Sequence, residues 1–223
     1  MPFSPLYLIL LVLLVGILIA FVQIGLLTIA FEKLGLSAAS AFTLLYASLF
    51  GSLVNLPLFK VKAEQPSHDM LEAMPAPLRG LLRRRMPEFT GKTLIAVNVG
   101  GGLIPIVFSW YLIQHHPLSL TEVVTATAIV SAISYVASRP VPGLGIGMPI
   151  FVGPVAAALT AILVSPEHSA PLAYICGTLG VLIGADLLRL KDIRKMGTPI
   201  ASIGGAGTFD GIFITGIVAV LLA

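Results

Sequence analysis

Two aspartates near the C-terminus carry the candidate chemistry of this chain. Asp186 follows Gly184 and Ala185, and Asp210 ends the glycine-rich run that starts at Ser202. Both acids border long apolar stretches, and a bilayer penalises an isolated charge by at least about 2.5 kcal/mol. Two adjacent carboxylates would share one proton, so one could deprotonate a water while the other protonates a substrate carbonyl. The pair predicts an aspartyl hydrolase with Asp186 and Asp210 as catalytic residues.

Glycines and small polar residues indicate where a substrate would lie. Glycines around Asp210 would let a substrate backbone approach closely. The Pro- and Gly-rich linker 139–149 offers backbone for pairing with an unwound peptide. Metal-site and nucleotide-binding motifs are absent from the sequence, so neither a metal nor a cofactor is expected. The predicted substrate contacts are Asn98, Gly143, Leu144, Gly207 and Thr208.

The same residues allow two other interpretations. Acids beside glycine-broken segments are typical of cation- or proton-coupled transporters, and Asn98, Thr208 and the carbonyl groups of residues 100–102 could then bind a cation. In a purely structural role, Asp186 would pair with Arg189 at helical spacing, and Asp210 would cap the last helix. The residues alone leave open whether this protein is an enzyme.

Composition indicates a membrane protein. The 223 residues are 57% hydrophobic and 10% charged, with a mean hydropathy of +1.02. Soluble domains carry about 25% charged residues. We predict an all-α, polytopic helical membrane protein that forms one domain over residues 1–223. The hydrophilic stretch 60–91 is predicted to be a cytoplasmic amphipathic loop. About seven transmembrane helices, one or two of them broken or re-entrant, are predicted near residues 5–30, 36–59, 93–113, 118–138, 150–164, 172–190 and 207–223.

The distribution of basic residues predicts the orientation. With seven spans, every Lys and Arg except Lys33 falls in the loops of one side, and positive charge marks the cytoplasmic side. The N-terminus is therefore predicted to be cytoplasmic and the C-terminus external, in the cell's inner (plasma) membrane. The expected partners are membrane lipids and a transmembrane peptide substrate. The pI of about 9.2 comes without nucleic-acid-binding signatures, and the sequence does not indicate an oligomeric state.

The two acidic motifs resemble those of a known enzyme class. Gly184-Ala-Asp186 and Gly207-Thr-Phe-Asp210 are similar to the motifs of the GxGD-type intramembrane aspartyl proteases, which include presenilin, signal peptide peptidase and prepilin peptidase. Residues 142–144, Pro-Gly-Leu, resemble that family's Pro-Ala-Leu element. As a whole, the chain resembles a prokaryotic family of multi-pass membrane proteins of unknown function, through the run from Ile203 to Phe213. The first resemblance implies peptide hydrolysis, and the second implies a membrane location without an activity.

Overall fold

The chain folds as a bundle of α-helices with a small β-sheet beside it. The computed structural model describes residues 25–63, 91–141, 145–195, 200–205 and 211–223. Most of the predicted first span and of the predicted amphipathic loop 60–91 lies outside these residues. The described helices are α1 Gly25–Lys33, α2 Ala38–Gly51, α3 Ile104–His115, α4 Leu120–Ala137, α5 Val152–Val164, α6 Ser169–Val181 and α7 Gly211–Leu222.

In the described part of the chain, two π-helical segments occur at glycine-containing sequences. The first, Val99–Leu103, leads into α3, and the second, Leu182–Leu187, extends α6. A π-turn is rare, and it often occurs at a functional site. Shorter 3₁₀ turns cover Pro166–His168 and Asp192–Lys195.

Among the described residues, five short strands form two sheets. Strands β1 Asn55–Lys62 and β2 Lys92–Asn98 pair antiparallel, and β5 Ile200–Ile203 pairs parallel to β2, with Leu94 opposite Ile200 and Val97 opposite Ile203. The sheet order is β1-β2-β5, so among the described strands β5 has one unpaired edge. Strands β3 Arg139–Val141 and β4 Gly145–Gly147 form a separate hairpin.

Helix α6 lies at the centre of the bundle and packs against α3, α4, α5 and α7. Its glycines allow close contact: a Cβ atom at Gly180 would lie 2.7 Å from Val130 Cβ, and one at Gly184 would overlap the carbonyl oxygen of Ser131. A smaller buried cluster lies between the sheet and the second π-segment and contains Ile95, Val181, Leu182, Ala185, Ile193, Ile203 and Ile212.

The prediction of an all-α fold with seven transmembrane helices is not supported. Within the described residues, two helical segments are long and apolar enough to span a membrane, Leu120–Ala137 and Pro166–Leu187. A third candidate requires counting α1 and α2 as one span, although they are bent by 109°. The other helices are too short: α2 has 14 residues and α3 and α7 have 12 residues each. Such helices are about 20 Å long, whereas the hydrocarbon core of a bilayer is about 30 Å thick.

The predicted second and third spans each combine a helix with a strand. In the predicted span 36–59, α2 ends at Gly51 and β1 begins at Asn55. In the predicted span 93–113, β2 occupies the first part and the glycines separate it from α3. The predicted helix is interrupted at the glycines, as expected. The segment before them, however, is strand β2 and not a helix. Two parts of the linker 139–149 are extended, and they pair with each other as the β3–β4 hairpin.

Large apolar side chains cover the outer faces of the bundle. Among the most exposed are Leu163 (82%), Val136 (79%) and Leu120 (75%). Phe42, Tyr46 and Phe50 form an exposed stacked row along α2, with ring centroids 6.5 and 6.4 Å apart. Contiguous apolar surface of this kind is uncommon on a monomer surrounded by water.

Candidate functional site

The site forms where the second π-segment meets the end of β5. Asp186 lies in the π-segment Leu182–Leu187, and its Oδ2 accepts a hydrogen bond of 2.7 Å from the backbone N–H of Gly204. Gly204 directly follows β5 and starts the glycine-rich connection to α7. Asp186 is partly buried, so this contact lies at the edge of the packed core. The carboxylate is thus held by the same connection that contains the second predicted acid.

Two glycine-rich turns lie against each other at this point. Since β2 and β5 run parallel and in register, Asn98, the last residue of β2, and Gly204, directly after β5, lie at the same end of the sheet. Gly204 has φ +83°, and a Cβ atom there would lie 2.5 Å from Gly102 N. This close contact between backbones requires glycine at position 204, because any other residue would be strained and would also overlap Gly102.

Asn98 fixes the first of these turns. Its Oδ1 accepts the N–H of Gly101 at 2.8 Å, which caps the π-segment Val99–Leu103. Its Nδ2 donates to Ser52 O at 2.7 Å and to Asn55 Oδ1 at 3.1 Å. Asn98 is fully buried, so both of its amide donors and its oxygen bind groups of the protein itself.

A chain of hydrogen bonds connects Asn98 to β5. The hydroxyl of Ser202 donates to Asn55 Oδ1 at 2.6 Å, and Asn55 Oδ1 also accepts from Asn98. On the other side of the turn, Ser48 Oγ donates to Gly100 O at 2.7 Å. These bonds connect α2, β1, β2 and β5 around the first glycine-rich turn.

The ion pair between Asp186 and Arg189, which the structural alternative required, is not found among the described residues. Arg189 pairs instead with Asp192, with 3.1 Å between Nη1 and Oδ2. It also donates to Ser138 Oγ at 2.9 Å and to Tyr135 O at 2.6 Å, and its guanidinium lies 4.5 Å from the centre of the Tyr135 ring. These contacts hold the arginine at the C-terminal end of α4, where a cation is favoured. The partner of Asp186 is therefore a backbone N–H.

The structure describes two of the seven predicted site residues, Asp186 and Asn98. They do not contact each other in any described hydrogen bond, but the contact between Gly102 and Gly204 joins their surroundings. The other five predicted site residues, Asp210, Gly207, Thr208, Gly143 and Leu144, lie outside the described residues. A group of three or more His, Cys, Asp or Glu side chains suited to a metal is not found in the described part of the chain.

Sequence reasoning did not select three residues that form this site. Gly204, Asn55 and Ser202 support Asp186 or Asn98, yet only the glycine belongs to a pattern that suggests a special backbone. Gly204 and Gly205 both have positive φ values, and adjacent glycines often mark such a turn. Asn55 carried no such signal, because a lone asparagine in an apolar run is usually a helix-packing residue.

A pocket in the bundle lies apart from this site. It lies between α1 and α2 and has about 420 Å³ of empty space, part of which is open solvent. Its lining is apolar except for Thr28 and Glu32, and it includes none of the predicted site residues. The pocket therefore adds nothing to the chemistry at Asp186.

The fold and site define a mostly helical protein. Its described residues contain two or three candidate membrane spans and a glycine-supported acidic site at the end of a small sheet. The chain belongs to a family described as "Protein of unknown function (DUF1614)", whose model matches residues 49–222. This agrees with the resemblance to a family of unknown function. No curated protein and no solved structure is significantly similar to the chain. The family description assigns no activity, so the likeness to GxGD proteases stays a prediction.

Proposed function

We propose that this chain is an integral membrane protein that hydrolyses peptide bonds with Asp186 and Asp210, in the manner of an intramembrane aspartyl peptidase. The observation that carries the proposal is the 2.7 Å hydrogen bond between Asp186 and Gly204 N–H. It binds one acid to the start of the connection that contains the other.

The helix after the connection also packs beside the first acid. Ile212, in α7, belongs to the buried cluster that contains Leu182 and Ala185 of the π-segment that carries Asp186. The described residues before and after the connection therefore both lie beside this π-segment.

The reaction needs only a water and the two carboxyl groups. The ionised carboxylate takes a proton from water as the water oxygen bonds to the carbonyl carbon, and the protonated carboxyl group gives its proton to the carbonyl oxygen. The C–N bond of the tetrahedral intermediate then breaks: the first acid passes the proton it took from water to the leaving nitrogen, and the second, now ionised, takes a proton from a hydroxyl of the intermediate, which leaves a carboxylic acid product and returns both acids to their starting states. The two acids exchange roles, and no metal or cofactor takes part.

The unpaired edge of β5 suggests how a substrate would bind. An extended peptide would add to β5 as a further strand, with hydrogen bonds between main chains, as in other cases of β-strand addition. Since β5 leads directly to Gly204, which binds Asp186, such a peptide would extend toward Asp186. The exposed apolar outer faces of α3, α4 and α5 favour a membrane location, and so a peptide that has unwound from an apolar helix. The orientation predicted from the basic residues, with a cytoplasmic N-terminus, is retained in this proposal.

Transport of a cation or proton remains an alternative prediction. The described contacts do not favour it, since the Oδ2 of Asp186 and the Oδ1 of Asn98 each accept a backbone N–H from a different turn. Both oxygens are therefore already bound by main-chain donors of the protein itself.

The test is cleavage of an apolar, fluorophore-quenched peptide by the full-length protein in liposomes. Asp186→Asn and Asp210→Asn are each expected to lower the rate at least about 100-fold, because acid–base catalysis by one group contributes that much or more. Asp192→Asn is the matched control, since it removes an acid that pairs with Arg189 and is expected to cleave normally. Absence of cleavage by the wild-type protein, or full activity of Asp210→Asn, would overturn the proposal.

A further inference from the structure

We propose that Asn98 is a positioning residue for the Asp186 carboxylate, which it orients through the two adjoining glycine-rich turns without touching it. A role of Asn98 in catalysis rests on the proposed function. The contacts that link Asn98 to Asp186 do not depend on it. Asn98 was selected from the sequence as a substrate contact, and that role stays a prediction. Its described bonds all go to the protein.

The first step is the capping of the π-segment. Asn98 Oδ1 holds the N–H of Gly101, while its amide nitrogen is held by Ser52 O and Asn55 Oδ1. A capping side chain of this kind stabilises the start of a helical segment. The position of Gly101 is therefore tied to that of Asn98.

The second step is the contact between the turns. A Cβ atom at Gly204 would lie 2.5 Å from Gly102 N and 2.8 Å from Gly101 C. With so little space, a shift of the first turn must move Gly204 or open a void beside it. The first turn thus acts as a rigid support for Gly204.

The third step is the bond from Gly204 to Asp186. The N–H donates to Oδ2 at 2.7 Å, and a hydrogen bond to a charged group is stronger than one between neutral groups. Displacing Gly204 would weaken this bond and release the carboxylate from its orientation. Ser202 adds to the support, because its hydroxyl ties β5 to Asn55 two residues before Gly204.

Hydrogen exchange at the Gly204 amide measures this coupling without any assay of activity. The full-length protein would be labelled with ¹⁵N-glycine, placed in lipid nanodiscs and followed by NMR. Asp186→Ala removes the acceptor itself and should raise Gly204 exchange roughly tenfold or more. We expect Asn98→Ala to raise it to a similar extent, Asn98→Ser to have a smaller effect because serine can still cap, and Ser202→Ala to raise it measurably.

Gly177→Ala is the matched control. A Cβ atom there would lie 3.1 Å from Ala157 Cβ, so the variant disturbs helix packing in α6, away from the two turns. It is expected to lower stability while leaving Gly204 exchange unchanged relative to other glycines.

Unchanged exchange of Gly204 in Asn98→Ala, with increased exchange in Asp186→Ala, would overturn the inference. If Asn98→Ala does not fold, unchanged exchange in both Asn98→Ser and Ser202→Ala would overturn it instead. Peptide cleavage is measured separately. Increased exchange in a protein that never cleaves peptides would support the positioning role while refuting the peptidase.

Discussion

Replacing Gly204 with alanine should destabilise this protein for two separable reasons. Gly204 has φ +83°, a conformation that costs an L-residue about 1–2 kcal/mol. Its new Cβ atom would also lie 2.5 Å from Gly102 N, closer than real Cβ atoms approach. Overpacking of this kind costs typically about 1–3 kcal/mol, so the sum is roughly 2–5 kcal/mol.

Gly35 offers a control with the same strain and without the overlap. It has φ +72°, and a Cβ atom there would meet only His116 Cε1, at 3.9 Å. Gly35→Ala should therefore cost about 1–2 kcal/mol. A loss of about 1 kcal/mol lowers the melting temperature of a domain of this size by about 2–4 °C. Gly204→Ala should thus melt about 2–12 °C below Gly35→Ala, from its overpacking alone.

A buried cysteine allows unfolding to be followed in this measurement. Cys176 is its single cysteine, and it is fully buried at the centre of the bundle in α6. A maleimide dye that fluoresces on reaction with a thiol therefore responds when the bundle opens on heating. Both variants and the wild-type protein would be melted in the same detergent with this dye.

Equal melting temperatures for Gly204→Ala and Gly35→Ala would refute the close contact between the two turns. A Gly204→Ala protein as stable as the wild type would refute the left-handed backbone as well. If Gly204→Ala loses stability and the N–H of residue 204 also exchanges faster, the packing of the two turns supports the hydrogen bond to Asp186.

Two further predictions concern the bundle around the site. Tyr174 is fully buried and its hydroxyl has no hydrogen-bond partner among the described residues, so Tyr174→Phe should raise the free energy of unfolding by about 1–3 kcal/mol. A lower melting temperature in the Cys176 dye assay would show that the hydroxyl has a partner. Arg189→Lys keeps the charge but loses the fork that binds Ser138, Tyr135 O and Asp192 together, so it should cost about 1–3 kcal/mol. An unchanged melting temperature would show that charge alone holds the end of α4.

The sequence alone determined the features that follow from local chemistry. Its apolar composition predicted the helical bundle. The predicted start of the fourth span lies close to the start of α4, because Ser119 and Glu122 form a capping box there, and that pairing is a local signal for a helix N-terminus. The glycines at 100–102 marked the interruption before α3. Asp186 was selected because a lone acid in an apolar run is costly and needs a reason.

Only the tertiary structure decided which apolar segments are strands and what Asp186 binds. The predicted spans that contain β1 and β2 are largely apolar, so periodicity could not separate a strand from a helix, and the pairing between distant strands decided it. Arg189 lies three residues after Asp186, at the spacing of an ion pair within a helix. In the structure it pairs with Asp192 and donates to Tyr135 O near the end of α4 instead. The partner of Asp186 is a main-chain N–H of Gly204, which no pattern of side chains can encode. Its position depends on the parallel pairing of β2 with β5, which are far apart in the chain.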